Sequence, residues 1–158
     1  MTLWAELDGP VSSALRSAHQ FVTLAASDGE DPATIGVHCV RPYVQAYEGY
    51  CYLRLGHKAT AVTLLEQALT GWPGVYRQDE GLARAWLAGA YAASNRLPEA
   101  GAQSSQALSL TATTAWSSRT LRALGQLDAR LATTASTAEV TQFRTAYCRA
   151  AAGHTIRP

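Results

Sequence analysis

Three tyrosines and one arginine recur at helical spacing between residues 43 and 54. Tyr43, Tyr47, Tyr50 and Arg54 are separated by four, three and four residues, so their side chains share one stripe of an α-helix. Rigid aromatic rings and guanidinium groups are favoured anchors of protein interfaces. Because a guanidinium also binds a carboxylate through two hydrogen bonds, the stripe predicts a site for a peptide with an acidic end or for an aromatic acid.

Two later segments add residues of the same kinds. The first contributes Trp86 between small residues, and the second contributes two arginines and a glutamine. We predict one concave groove with aromatic rings at one end and guanidinium groups at the other, since such clefts are the usual ligand sites. Its lining residues are Tyr43, Tyr47, Tyr50, Arg54, Trp86, Arg119, Arg122 and Gln126. The alternative is that some of these rings belong to the core or pack against a preceding helix.

General-base chemistry has fewer candidates. His38 and His57 come first, His19 and His154 follow, and Glu48 adjoins the tyrosine stripe, where it could equally pair with an arginine. The chain contains no HxxxH pair, no serine elbow and no glycine-rich phosphate loop. We therefore assign no catalytic residue, and a small biosynthetic or detoxifying enzyme stays an alternative to a binding domain.

The cysteines do not suggest a metal site. Cys39, Cys51 and Cys148 are odd in number and lack CxxC spacing, and His38 beside Cys39 does not supply a short-spaced ligand pair. Free cysteines are usually small buried hydrophobic residues. We expect reduced, buried thiols, no metal and no cofactor, which fits a cytoplasmic protein.

Charge is distributed unevenly along a chain whose net charge is only +1. Residues 1–40 hold one arginine against five carboxylates, whereas residues 117–158 hold six arginines against two carboxylates. Self-association between opposite ends would explain this pattern, and a chance distribution is the alternative. The small net charge predicts no direct binding of nucleic acid. We also expect no membrane association, because no secretory signal or long apolar span occurs.

A repeated set of offsets identifies the elements that position these residues. Two sets of six residues share the same offsets of 3, 9, 4, 3 and 5. In each set the first residue is small, the second is aromatic, the third and fifth are small, the fourth is bulky or small, and the sixth ends the hairpin. The two sets are Gly49, Tyr52, Ala61, Leu65, Ala68 and Pro73, and then Ala88, Tyr91, Ala100, Ser104, Ala107 and Ala112. A small residue on the first helix lets the second helix pack closely, and the aromatic residue fills the space beside it. This is the pattern of a tetratricopeptide helical hairpin.

The pattern predicts an all-α, tetratricopeptide-like right-handed superhelix of antiparallel hairpins with about seven helices. We expect a single domain over residues 1–158. Its predicted segments are an entry helix and connector (10–40), repeat 1 (41–73), repeat 2 (77–112) and a degenerate capping hairpin (118–151). The predicted helices are Pro10–Ser27, Tyr43–Leu55, Lys58–Thr70, Arg77–Ser94, Leu97–Leu110, Arg119–Leu131 and Glu139–Ala151.

Local signals set the ends of these helices. Asp8 or Gly9 caps the entry helix ahead of Pro10, because a proline in the first turn loses no hydrogen bond. Gly56 and Asn95 tolerate the left-handed backbone of a tight turn. Further expected features are a cap at Ser117 or Ser118, a capping box over Ser136–Glu139, a connector at Thr111–Thr114 and fraying over Gly153–Pro158.

Four segments resemble one family of regulators. They are Pro42–Gly56, Ala61–Leu69, Ala83–Ala93 and Ser118–Leu124, and they are similar to the tetratricopeptide-like C-terminal regions of actinobacterial helix-turn-helix regulators of the Cro/CI type. The resemblance covers roughly residues 10–150. It implies a sensor or interaction domain in transcription regulation that binds a peptide, a protein or a small molecule. In that group a DNA-binding module precedes the repeats, and residues 1–40 do not supply one.

Overall fold

The structure is a computed structural model that describes residues 3–27, 40–114 and 117–154. These ranges contain seven helices and no strand, which confirms the all-helical prediction. The helices are α1 (Leu3–Ser27), α2 (Arg41–Arg54), α3 (Lys58–Thr70), α4 (Arg77–Ala93), α5 (Leu97–Thr113), α6 (Ser118–Leu131) and α7 (Ala138–His154). The chain divides into two compact units, Met1–Trp72 and Pro73–Pro158. The single domain and the right-handed superhelix stay predictions.

The first unit is built on the hairpin of α2 and α3, with α1 packed against α2. Ala46 and Gly49 of α2 are buried, and Ala61, Leu65 and Ala68 of α3 are fully buried. Small residues on both helices let their backbones approach closely, so the hairpin needs little side-chain volume to exclude water.

The second unit is built on the hairpin of α4 and α5, and it contains a larger core. Both α6 and α7 pack against this hairpin, and α7 contacts α5 much more extensively than it contacts α6. Leu124, Leu127 and Leu131 of α6 and Val140 and Phe143 of α7 complete the core. The last two helices therefore cover the α4–α5 hairpin more than they pair with each other.

The two hairpins turn in the same way. Gly56 (φ 87°) and Asn95 (φ 59°), 39 positions apart, are left-handed in backbone conformation. The next residue donates its amide to the tyrosine carbonyl five positions earlier, from His57 to Tyr52 and from Arg96 to Tyr91, at 2.9 Å in both cases. This is the helix-ending hydrogen bond that a left-handed residue permits. The predicted roles of Gly56 and Asn95 in these turns are confirmed.

The three repeated positions on the second helix of each hairpin are fully buried, whereas Ala112, predicted as a terminating position, is exposed and lies within α5. Ala61, Leu65 and Ala68 in the first and Ala100, Ser104 and Ala107 in the second have no exposed surface. The tyrosines occupy matching positions, since Tyr52 packs edge-on against His57 at 5.8 Å and Tyr91 lies 4.3 Å from the Arg96 guanidinium. Tyr91 is buried, whereas Tyr52 is half-buried.

Several helix ends differ from the predictions, most of all the start of α1. The helix α1 begins at Leu3 and runs through Pro10, so the predicted start at Asp8–Pro10 is wrong, and Pro10 lacks an amide at a position inside the helix. The helix α5 continues to Thr113, so the predicted connector at Thr111–Thr114 is wrong. Thr111 is buried and donates its hydroxyl to the Ala107 carbonyl at 2.9 Å, which satisfies a polar side chain within the helix.

The ends of α6 and α7 also test the predicted caps. Ser117 accepts the Thr120 amide at 3.3 Å, as predicted. The α7 cap is Thr137 and not Ser136, because Thr137 Oγ1 accepts the Val140 amide at 3.3 Å. The last helix continues to His154, so Gly153 and His154 are helical and the prediction of fraying is wrong for these two residues. The rest of the predicted frayed end, residues 155–158, lies outside the described residues. Residues 28–39 of the predicted entry helix and connector, with His38 and Cys39, lie outside the described residues.

Candidate functional site

Two of the predicted tyrosines form an aromatic cluster with Trp72. The ring centroids of Tyr43 and Tyr47 are 5.1 Å apart, and their hydroxyl oxygens are 3.4 Å apart. Trp72, two residues after α3 ends, lies 6.2 Å from the Tyr43 ring. All three side chains are half-buried. We call Tyr43, Tyr47 and Trp72 the aromatic cluster, and all of it belongs to the first unit.

The cluster's position follows from the hairpin. The α2 positions that face α3 are Ala46 and Gly49, which are buried. The helical period places Tyr43 and Tyr47 on a different stripe of α2. The end of α3 lies beside the start of α2, since a Cβ on Gly71 would be 3.6 Å from Pro42 Cγ. Trp72 follows directly, so its indole reaches Tyr43.

The remaining predicted site residues differ in exposure. Tyr50 is half-buried on α2, and Arg54 is exposed at the end of the same helix. In the second unit, Trp86 is buried on α4, with 8% of its surface exposed. The three predicted site residues of α6 are exposed, and they are Arg119, Arg122 and Gln126. The groove shared by all eight residues stays a prediction.

Glu48 has a histidine partner. His19 Nε2 of α1 lies 2.8 Å from Glu48 Oε2 of α2, and both side chains are partly buried. Sequence spacing gave no signal for this pair, because 29 residues separate its members. His57 is exposed at the turn after α2. The Glu48 carboxylate therefore orients the His19 imidazole.

The described cysteines lie in different environments. Burial raises the pKa of the Cys51 thiol, and the Glu48 carboxylate raises it further, so Cys51 is a poor nucleophile at neutral pH. Cys148 is exposed on α7, and the expectation of buried thiols is wrong for it. Over residues 3–27, 40–114 and 117–154, no group of three or more histidine, cysteine or acidic side chains is arranged to hold a metal ion.

Two features were not singled out from the sequence. The first is Trp72, whose only signal was an aromatic residue in the Gly-Trp-Pro-Gly segment that ends α3. The second is a hollow of about 510 Å³ on α7, lined by Ser136, Thr141, Arg144, Thr145, Cys148 and Arg149. None of the predicted site residues lines that hollow.

Comparison of the chain with protein-family models, with curated proteins and with solved structures finds no match. Within the described ranges, no helix combines the length and the apolar character that crossing a bilayer requires.

Proposed function

We propose that the chain is a tetratricopeptide-like interaction domain that binds a peptide, a protein segment or a small ligand. The aromatic cluster carries the proposal, because it holds three half-buried rings together on the α2–α3 hairpin. The ring centroids of Tyr47 and Trp72 lie 5.1 and 6.2 Å from that of Tyr43. Such rings provide a large apolar contact surface with polar tips and lose little side-chain entropy on binding. The matching turns at Gly56 and Asn95 support the repeat assignment.

The stripe favours a ligand that is both apolar and acidic. Arg54 is exposed at the C-terminal end of the stripe that Tyr43, Tyr47 and Tyr50 begin. A guanidinium beside aromatic rings suits a peptide with an acidic end or an aromatic acid. A binding role for Trp86 and the α6 arginines, which belong to the second unit, stays a prediction from the sequence. A regulatory role and a cytoplasmic location rest on the resemblance and composition of the sequence.

The test is a binding assay on the full chain. A peptide array of aromatic sequences ending in aspartate or glutamate would select a probe, and fluorescence anisotropy would measure its affinity. Tyr47→Leu should weaken binding by about tenfold or more, as for an interface anchor, with unchanged helical circular dichroism.

Phe21→Leu is the matched control. Phe21 is an exposed aromatic residue of α1 in the same unit, and its truncation should leave the affinity unchanged. Equal affinity of Tyr47→Leu and the unmodified chain would contradict binding at the aromatic cluster.

An enzyme is the second candidate, favoured by the pairing of His19 with Glu48. A carboxylate that holds an imidazole in a fixed orientation is a recurrent arrangement for a general base. A panel of nitrophenyl esters tests for hydrolysis, which should be lost in His19→Gln and retained in His57→Gln. Absence of hydrolysis in the unmodified chain, or equal rates in both variants, would contradict it.

Self-association is the third candidate, and it follows from the uneven charge of the sequence. Several arginines of α6 and α7 are exposed, among them Arg119, Arg122 and Arg149. Sedimentation at low and high salt should show an oligomer that dissociates as salt screens the charges. A monomer under both conditions would contradict this candidate.

A further inference from the structure

We infer that the outer face of α7 carries a binding site for a small hydroxylated oxyanion of the sugar-phosphate class. The site is the 510 Å³ hollow that begins at Ser136 and extends along α7. It is an open recess, because five of its six lining residues are exposed, and its volume is enough for a small molecule. It lies within the second unit and shares no residue with the aromatic cluster, so the inference goes beyond the proposed function. We call it the α7 hollow.

Helical spacing explains the shape of the α7 hollow. Thr141, Thr145 and Cys148 are spaced four and three residues apart, so they share one stripe of α7. Arg144 and Arg149 fall on either side of that stripe. Short side chains along the middle and long side chains at both edges leave a recess. The side of α7 that faces the core is the opposite one, where Val140 and Phe143 are buried.

The lining of the α7 hollow carries positive charge. It contains two guanidinium groups and no carboxylate. Arg144 donates its Nε–H to Asp128 Oδ1 at 2.9 Å, which fixes the orientation of the guanidinium plane. Over residues 117–154, no hydrogen-bond acceptor pairs with the terminal nitrogens of Arg144 or with the Arg149 guanidinium. The oriented guanidinium of Arg144 and the second guanidinium of Arg149 are suited to bind the oxygens of a phosphate or carboxylate.

The hydroxyl groups of the hollow act as acceptors. Thr141 Oγ1 donates to the Thr137 carbonyl and Thr145 Oγ1 donates to the Thr141 carbonyl, both at 2.9 Å. Ser136 Oγ lies 2.7 Å from Thr141 Oγ1, so its proton goes to Thr141. A hydroxyl has only one proton to donate, and these three therefore present lone pairs to a ligand.

These two features together define the ligand. The guanidinium groups favour an oxyanion, and the hydroxyl lone pairs accept hydrogen bonds from hydroxyl groups of a ligand. A molecule that satisfies both carries an oxyanion and several hydroxyls on a small frame. A phosphorylated sugar has this composition, and inorganic phosphate alone has only part of it.

The experiment is calorimetric titration of the full chain with glucose phosphate, inorganic phosphate and glucose as separate probes. Glucose phosphate should bind at least about tenfold more tightly than inorganic phosphate, and Arg149→Gln should weaken it by about tenfold or more, the value of charged hydrogen bonds. Arg130→Gln, an exposed arginine of α6 outside the hollow, is the matched control and should bind as the unmodified chain does.

Cys148 reports the location of binding. Its exposed thiol lines the hollow, so bound glucose phosphate should slow its alkylation by iodoacetamide, measured by peptide mass spectrometry, and the protection should vanish in Arg149→Gln. Equal affinity for inorganic phosphate and glucose phosphate, equal weakening by both arginine variants, or unprotected Cys148 at saturating glucose phosphate would each overturn the inference.

Discussion

Gly49 of α2 faces Leu65 of α3 so closely that a Cβ on Gly49 would lie 2.7 Å from Leu65 Cγ. Leu65 is fully buried, and its side chain occupies the space that a methyl group at Gly49 would need. The second hairpin has Ala88 and Ser104 at the corresponding positions, and both are fully buried. A larger first residue is thus accompanied by a smaller second one, which keeps the combined volume of the pair within what the two helices can enclose.

A double-mutant cycle tests this exchange of volume. Gly49→Ala should lower the free energy of unfolding by about 1–3 kcal/mol through overpacking, and Leu65→Ala should lower it by about 2–5 kcal/mol through a cavity. Because the new methyl group would enter that cavity, we expect the combined variant to lose at least about 1 kcal/mol less than the sum. Urea unfolding measures all four proteins.

Gly9→Ala is the control for this cycle. Gly9 is a helical glycine of α1, and a Cβ there would meet nothing within 4 Å. Its replacement should be neutral or stabilise the protein by up to about 1 kcal/mol through helix propensity. Strict additivity of the Gly49 and Leu65 effects would contradict the proposed contact.

The two hairpins could be predicted from local sequence signals, whereas contacts between residues far apart in the sequence could not be predicted. Gly56 and Asn95 act through their own backbone conformation, so their positions could be inferred from residue type. The pairing of His19 with Glu48 joins different helices and leaves no periodic trace. Thr111 misled the prediction of a connector, because a polar residue can be buried when its hydroxyl bonds to its own helix.

The packing of α7 on α5 depends on Gly101. A Cβ at this position would lie 2.5 Å from the Glu139 carbonyl carbon and 2.6 Å from the Val140 nitrogen, and these backbone atoms cannot move without displacing α7. Gly101→Ala should therefore lower the free energy of unfolding by about 3 kcal/mol, at the upper end of overpacking effects. Urea unfolding followed by circular dichroism measures this loss.

Gly81→Ala is the matched control in the same hairpin. A Cβ on Gly81 would make ordinary contacts, the nearest at 3.6 Å to the Ala107 carbonyl oxygen and to Leu110 Cβ. Alanine also favours a helix interior by about 1 kcal/mol over glycine. We expect Gly81→Ala to be neutral or stabilising, and similar losses in both variants would contradict a specific role for Gly101.

Thr120 carries an unsatisfied hydroxyl in the core. It is fully buried on α6, and its Oγ1 has no hydrogen-bond partner among the described residues. Thr120→Val keeps the shape and removes the buried polar group, so it should raise the free energy of unfolding by about 1–3 kcal/mol. Thermal unfolding of Thr120→Val and Thr120→Ser compares removal of the hydroxyl with removal of the methyl. A loss of stability in Thr120→Val would show that the hydroxyl has a partner.

The pH dependence of Cys51 provides a test of the α1–α2 environment. Burial and then the Glu48 carboxylate raise the pKa of this thiol above its ordinary value. Since only the thiolate reacts, alkylation of Cys51 should rise at higher pH than that of an ordinary thiol. Glu48→Gln removes the negative charge, so the alkylation profile should move to lower pH, although burial keeps part of the shift.

Peptide mass spectrometry after brief iodoacetamide treatment at successive pH values gives the profile of Cys51 and of Cys148 in one experiment. Cys148 belongs to the other unit, and its profile should be the same with and without Glu48→Gln. Glu66→Gln on α3 is the matched control, because Glu66 is not among the groups that shift the pKa of Cys51. An unmoved Cys51 profile in Glu48→Gln would show that burial alone raises the pKa, and the carboxylate would then lie too far from the sulfur to act on it.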